Sequence, residues 1–129
     1  MLIKTVLKPS PISGLGLFSV DDIAKDTCVW EWHHGFDMVI PKRYFDSSPE
    51  SVKTFLLKYA VLVGDMIYLC ADDARFVNHS NTPNICISDP VGEPEIMNAA
   101  MRDILAGEEL TIDYATIDQW YPDYKDNLK

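Results

Sequence analysis

Basic side chains are scarce in this chain: 11 Lys and Arg stand against 20 Asp and Glu, for a formal net charge of -9. A protein that grips nucleic acid needs a cationic stripe to displace the phosphates' counterions, so that partner class is excluded and a basic peptide or protein fits better. The imbalance is greatest from Asp89 to Asp118, where eight acidic side chains face only Arg102, a segment that suits steering of a Lys/Arg-rich partner and equally suits a solvated acidic surface that keeps the protein soluble. Cysteine is sparse as well. Cys28, Cys70 and Cys86 are odd in number and lack C-x-x-C spacing, which excludes a disulfide framework and points to buried thiols in a reducing compartment. His33, His34 and His79 have no zinc-ligand spacing with those cysteines, so no metal is expected. There is no run of about 18 apolar residues and no charged-then-apolar leader, so neither a membrane span nor a signal peptide is expected and the chain reads as soluble and intracellular. Repeats, low-complexity tracts and Pro/Gly/Ser-rich linkers are missing too. With 129 residues, 47% hydrophobic and 24% charged, the chain reads as one globular domain, 1–129.

What is present is concentrated in three stretches. Arg75-Phe76-Val77-Asn78-His79-Ser80-Asn81-Thr82-Pro83-Asn84 sets a polar run directly behind two large apolar residues. Asn, Ser and Thr side chains compete for backbone partners, and the residue before Pro83 is pushed out of the helical region, so the segment is a rigid turn anchored by Phe76 and Val77. Gly14-Leu15-Gly16-Leu17-Phe18 has two glycines that permit positive φ angles and a close approach to the backbone. Gly107-Glu108-Glu109-Leu110-Thr111-Ile112-Asp113-Tyr114 alternates so that Leu110, Ile112 and Tyr114 share one face, the buried one.

Between these motifs the pattern predicts strands at Leu2 to Leu7, Cys28 to Trp32, Ile85 to Ser88 and Glu95 to Arg102, with a turn at Asp89-Pro90-Val91-Gly92. Ser48, Pro49 and Glu50 predict a helix start, with Ser48 as N-cap and the helix running to about Tyr59. Val52, Phe55, Leu56 and Tyr59 would form its core-facing stripe. Ala60 to Val63 and Met66 to Cys70 flank Gly64-Asp65 as a hairpin. Many short strands and one clear helix give a mainly β domain with few helices and curled sheets.

In wording, order and spacing the three stretches resemble the SET-domain protein lysine methyltransferases, over a likeness running from about Lys8 to Tyr121, and most of all the minimal SET proteins of bacteria and viruses. The resemblance implies a β-clip fold of short curled sheets, in which the segment carrying Asn78 and His79 and the segment carrying Tyr114 cross in a knot-like arrangement. It implies S-adenosylmethionine as cofactor, with no metal. A lysine-containing basic protein, such as a histone or ribosomal protein, would be the substrate, in the cytoplasm or, for a viral source, the host nucleus. Gly14, Leu15 and Gly16 would line the cofactor, Asn78 would hold its amino-acid end, and the backbone of His79 would meet the adenine. Tyr114 matches the catalytic tyrosine. Trp120 is the tail aromatic that would stack on the base, although the residues alone equally allow a Trp that tucks the terminus onto the core. Two positions depart from the family pattern: His33 stands where many relatives have a channel-lining tyrosine, and Ile87, nine residues after Asn78, stands where many have Phe or Tyr. At that second position a tyrosine hydroxyl binds an ordered water that limits the product, so Ile87 implies di- or trimethyllysine. Both departures leave open a SET-like module that binds peptide or cofactor without turnover.

Overall fold

The computed structural model describes residues 1–88 and 96–124. In chain order these form β1 (Thr5–Pro9), β2 (Leu15–Ser19), β3 (Cys28–Glu31), β4 (Met38–Pro41), α1 (Lys42–Asp46), α2 (Glu50–Tyr59), β5 (Ala60–Val63) and β6 (Met66–Leu69). A 3-10 turn at Asp73–Phe76 follows, then β7 (Asn78–His79), β8 (Ile85–Ser88), β9 (Met97–Ala100), β10 (Thr111–Ile112), a second 3-10 turn at Tyr114–Thr116, and α3 (Tyr121–Tyr124). The turn expected at Asp89 to Gly92 lies outside the described residues.

The strands gather into small sheets: β1 with β2, the order β3-β9-β8, the order β4-β6-β5, and the parallel pair β10 and β7. That last pair places Asn78 opposite Thr111 and His79 opposite Ile112, so the two polar motifs, distant in sequence, lie side by side. One apolar core, including Leu17, Val29, Trp30, Ile85, Ile104 and Leu110, sits beneath the first two sheets and this pair. A second gathers Leu56, Ala60, Leu62, Ile67, Leu69 and Trp120. The hairpin on Gly64-Asp65 forms as the sequence predicts, with Ala60 opposite Leu69 and Val63 opposite Met66.

Several boundaries differ from the sequence reading, each for a local reason. The first strand runs over Thr5–Pro9 and not Leu2 to Leu7, because Leu2 N–H is drawn to the Val29 carbonyl at 2.9 Å, while Pro9, which cannot donate, ends an edge strand where no donor is needed. Ser48 does not cap α2; Pro49 takes that place with no side-chain bond. The short helix α1 was not legible in the sequence, and its terminal carbonyls need donors. The Ser48 hydroxyl donates to the Tyr44 carbonyl at 2.5 Å and Ser47 to Arg43 at 3.2 Å. The expected apolar stripe of α2 is only partly buried: Leu56 is inside, whereas Val52 and Phe55 are 40% and 44% exposed. The helix serves instead to deliver Lys58 and Tyr59 at its C-terminal end. Finally, Tyr114 is buried by a turn and not by strand alternation, for Thr111 is buried beside Ile112 and the Asp113 carboxylate accepts from Ala115 N–H at 3.0 Å, starting a 3-10 turn.

Candidate active site

The loop joining β1 to β2 turns through Gly14, whose φ of +48° suits glycine. Asn78 fastens this loop from the side. Its amide nitrogen lies 3.1 Å from the Ser13 carbonyl, 3.2 Å from that of Leu15 and 2.8 Å from Glu109 Oε1. Ser10 Oγ donates to the same Glu109 carboxylate at 2.8 Å. A Cβ at Gly16 would stand 2.1 Å from Glu109 Oε1, so any larger residue there has to shift the Glu109 carboxylate. The second glycine of the motif therefore makes room for a carboxylate of the protein, where the sequence reading had it open the backbone to a ligand.

His79 also works through its side chain. Its Nδ1 accepts from the Tyr114 backbone N–H at 3.1 Å, and its Nε2 lies 3.1 Å from Asn81 Oδ1 and 3.0 Å from the Tyr121 hydroxyl. A ring bonded at both nitrogens fixes the start of the turn that carries Tyr114. Asn84 completes the frame: its carboxamide accepts from Thr111 N–H at 2.8 Å and donates to the Glu109 carbonyl at 2.7 Å. The Asn-rich run is thus a lattice of amides tying β7 to β10. Only Asn78 and His79 were singled out from the sequence, although Asn84 lies in the same run.

Two cavities open on either side of Tyr114. One, about 230 Å³, is lined by Ser13, Gly14, Leu15, Lys58, Tyr59, Arg75, Phe76, Asn78 and Tyr114. The other, about 200 Å³, is largely apolar and includes Trp30, Trp32, Val61, Tyr68, Val77, Ile87, Ile112 and Tyr114. Lys58, Tyr59 and Arg75 line both, as Tyr114 does. None of these three was picked out from the sequence: Lys58 and Tyr59 looked like helix, and Arg75 like an anchor of the run. The Tyr114 hydroxyl donates to the Val77 carbonyl at 2.6 Å. Burial above all, and the charges of Asp118 and Glu109, raise the phenol well above its usual range, so it stays protonated. Burial likewise pushes the Cys70 thiol on the channel wall up to about 12, which makes it an inert wall group.

Two residues named from the sequence lie elsewhere. His33 leaves the sheet in a turn, with its side chain 57% exposed and Nε2 3.3 Å from Glu31 Oε1. Trp32 and Tyr68, edge to face at 5.5 Å, are among the aromatics that line the apolar cavity, and His33 is not. Trp120 is buried in the second core with Phe45 5.0 Å away, and lines neither cavity. The tail aromatic beside His79 is Tyr121, at 4.9 Å. The acidic stretch is also less open than its composition suggests: buried Asp118 accepts from Leu62 and Trp120 N–H, Glu109 is bonded as above, and Glu108 pairs with Arg102 at 2.8 Å. Among the described residues no group of His, Cys, Asp and Glu could hold a metal ion, and no helix is long and apolar enough to cross a membrane.

The SET domain family model matches residues 14–115, from the first glycine to just past Tyr114. The chain belongs to the SET-domain family. It is 34% identical over 115 residues to a Schizosaccharomyces pombe histone-lysine N-methyltransferase specific for H3 lysine-4, covering 82% of this chain and 12% of the relative. A second S. pombe histone-lysine N-methyltransferase, specific for H3 lysine-36, is 37% identical over 115 residues, covering 78% of this SET chain and 13% of the relative. The chain thus spans only a small part of the curated relatives it matches. Among solved structures, a humanized mutant of the Chaetomium thermophilum Polycomb Repressive Complex 2 bound to an inhibitor superposes with a TM-score of 0.66 at 25% identity, covering 92% of this chain and 16% of that one. A Plasmodium falciparum chain shares the fold at 21% identity with a TM-score of 0.63, covering 88% of this chain and 95% of that one.

Proposed function

We propose that this SET domain is an S-adenosylmethionine-dependent protein lysine N-methyltransferase acting on a basic protein such as a histone or ribosomal protein. The observation that carries the reading is that Tyr114 belongs to both cavities, which share Lys58 and Arg75 and differ in that one reaches the Asn78 loop while the other is walled mainly by apolar side chains. The cavity at the Asn78 loop suits the cofactor. Lys58 and Arg75 have no carboxylate within ion-pair distance among the described residues, so two cations await an anion such as the cofactor's carboxylate. Asn78 spends its N–H groups on the loop and Glu109 and keeps its carbonyl oxygen to accept from the cofactor's ammonium. When bound, the cofactor supplies an electrophilic methyl group on a sulfonium.

The apolar cavity suits a lysine side chain. A free lysine amine, with a pKa of about 10.4, is almost wholly protonated and not nucleophilic at neutral pH. Trp30, Trp32, Tyr68 and Val77 strip water from it, and Lys58 and Arg75 add like charge; both effects favour the neutral amine. The Tyr114 hydroxyl, pinned to Val77 and held neutral, orients that amine toward the cavity at the Asn78 loop. Holding two reactants in line is the largest saving such a site makes.

Incubation with radiolabelled S-adenosylmethionine and core histones, ribosomal proteins or source-cell lysate tests this, with the labelled residue mapped by mass spectrometry. Label on lysine, lost in Tyr114→Phe, is the expected result. Tight cofactor binding with no transfer to any protein would leave a binding module and overturn the enzyme.

A further inference from the structure

The wall of the apolar cavity contains a carboxamide with no duty in the fold. In the sheet ordered β3-β9-β8, Asn98 on the central strand has Trp30 as its partner on one side and Ile87 on the other. Directly opposed residues project to the same face with Cβ atoms about 5 Å apart, so the three form one row, and all three line the cavity. Trp30 is 4% exposed and Ile87 46%, which stations Asn98 between the floor and the mouth. Among the described residues its side chain makes no hydrogen bond, although Asn78 and Asn84 have their carboxamides engaged. The side chain is half-buried, so solvent in the cavity meets its amide until a ligand displaces it. Its neighbours Ile96, Ala99 and Ala100 show what the strand otherwise carries.

Of the other polar groups on this wall, Lys58 and Arg75 have donors only, whereas the tyrosine hydroxyl oxygens can accept, as that of Tyr114 can once its proton is given to Val77; Asn98 is the carboxamide among them. An amide oxygen is a strong acceptor, and Asn98 lines the space a lysine amine would enter. On the lysine-transfer reading above, on which this inference rests, we propose that Asn98 sets the number of methyl groups added, by accepting a hydrogen bond from an N–H of the target amine.

In each round the amine lone pair forms the new N–C bond, the C–S electron pair stays on sulfur as sulfonium becomes thioether, and the alkylammonium releases a proton to water before the next round. The neutral nucleophile carries two N–H groups in lysine, one in monomethyllysine and none in dimethyllysine. Asn98 therefore orients the lone pair in the first and second rounds and has nothing to hold in the third. The product is dimethyllysine. The open space beside Ile87 admits the second methyl, and the unmatched amide halts the series there.

The test uses the full chain and core histones, followed to exhaustion by mass spectrometry, with Asn98→Leu as the near-isosteric variant lacking an acceptor. Wild type should stop at dimethyllysine, whereas N98L should proceed to trimethyllysine, its ratio of third to first transfer rate raised about tenfold with cofactor affinity unchanged. If N98L fails to fold, Asn98→Val, suited to a strand, is the substitute. An identical product ladder in wild type and variant, or a wild type that itself runs to trimethyllysine, overturns the role of Asn98 while leaving the transferase standing. A folded wild type that binds cofactor and labels no histone, ribosomal protein or lysate protein overturns the transfer reading itself.

Discussion

Gly16 and Glu109 show how one residue's identity is set by another 93 positions away, for the missing Cβ at Gly16 is filled by the Glu109 carboxylate that also receives Asn78 and Ser10. Gly16→Ala should therefore displace Glu109, loosen the loop that Asn78 holds, and weaken cofactor binding about tenfold or more, as read by titration calorimetry. Shortening Glu109 to Ala in the same chain should recover part of the stability lost by G16A, the non-additivity expected of two residues in contact. On the proposed transfer reading, Tyr114→Phe should keep the fold and cofactor affinity and lower turnover about a hundredfold, the cost of one oriented hydroxyl acting mainly in the transition state. Single-turnover methyl transfer would show it, and full activity in the variant would remove Tyr114 from catalysis. Asn78, His79 and Tyr114 could be picked out as candidates from the sequence because motif chemistry names residue types at fixed spacings. Lys58, Tyr59 and Arg75 were not, because a cation or a tyrosine at the end of a helix or behind a turn looks like solvated surface until the fold turns it toward a cavity.

At the scale of elements, patterning located most strands and the helix α2 but not their ends or burial. Apolar residues such as Phe55 carry the signature of a core face, yet α2 is covered on one side only, and burial depends on neighbours that local sequence does not announce. The tail is the sharpest case. Trp120 and Tyr121 are adjacent aromatics that face different parts of the molecule, one the second core and one His79. Asp118 decides this by accepting both Leu62 and Trp120 N–H, which docks the tail on β5 and turns the indole inward. Trp120→Ala should cost about 3–5 kcal/mol of stability, the usual range for removing a large buried aromatic, while cofactor affinity per folded molecule holds. Chemical denaturation alongside calorimetry separates the two, and a large loss of affinity with an unchanged midpoint would return Trp120 to the cofactor site.

Over the whole molecule, composition and motif order were enough to place the chain in its fold family, because three motifs in register constrain the path between them. They could not show that two cavities would share Tyr114, with Lys58, Tyr59 and Arg75, as a common wall, which depends on β7 lying beside β10. That packing buries acidic protons whose release must be linked to unfolding. Cys70 is raised from 9.0 to about 12 and Tyr114 is raised above its ordinary 10.0, both chiefly by burial. Since the folded state holds these protons more tightly than the unfolded chain, their contribution is complete below pH 9 and is lost as pH rises toward 12. Stability should therefore fall above pH 9 with a slope on the order of 1 kcal/mol per pH unit for each such group. Denaturation midpoints from pH 8 to 11 should show a shallower decline in Cys70→Ala, beginning near pH 9, and a further flattening above pH 10 when Tyr114→Phe is added. A decline of equal steepness in wild type and double variant would mean that these two protons are not what burial holds.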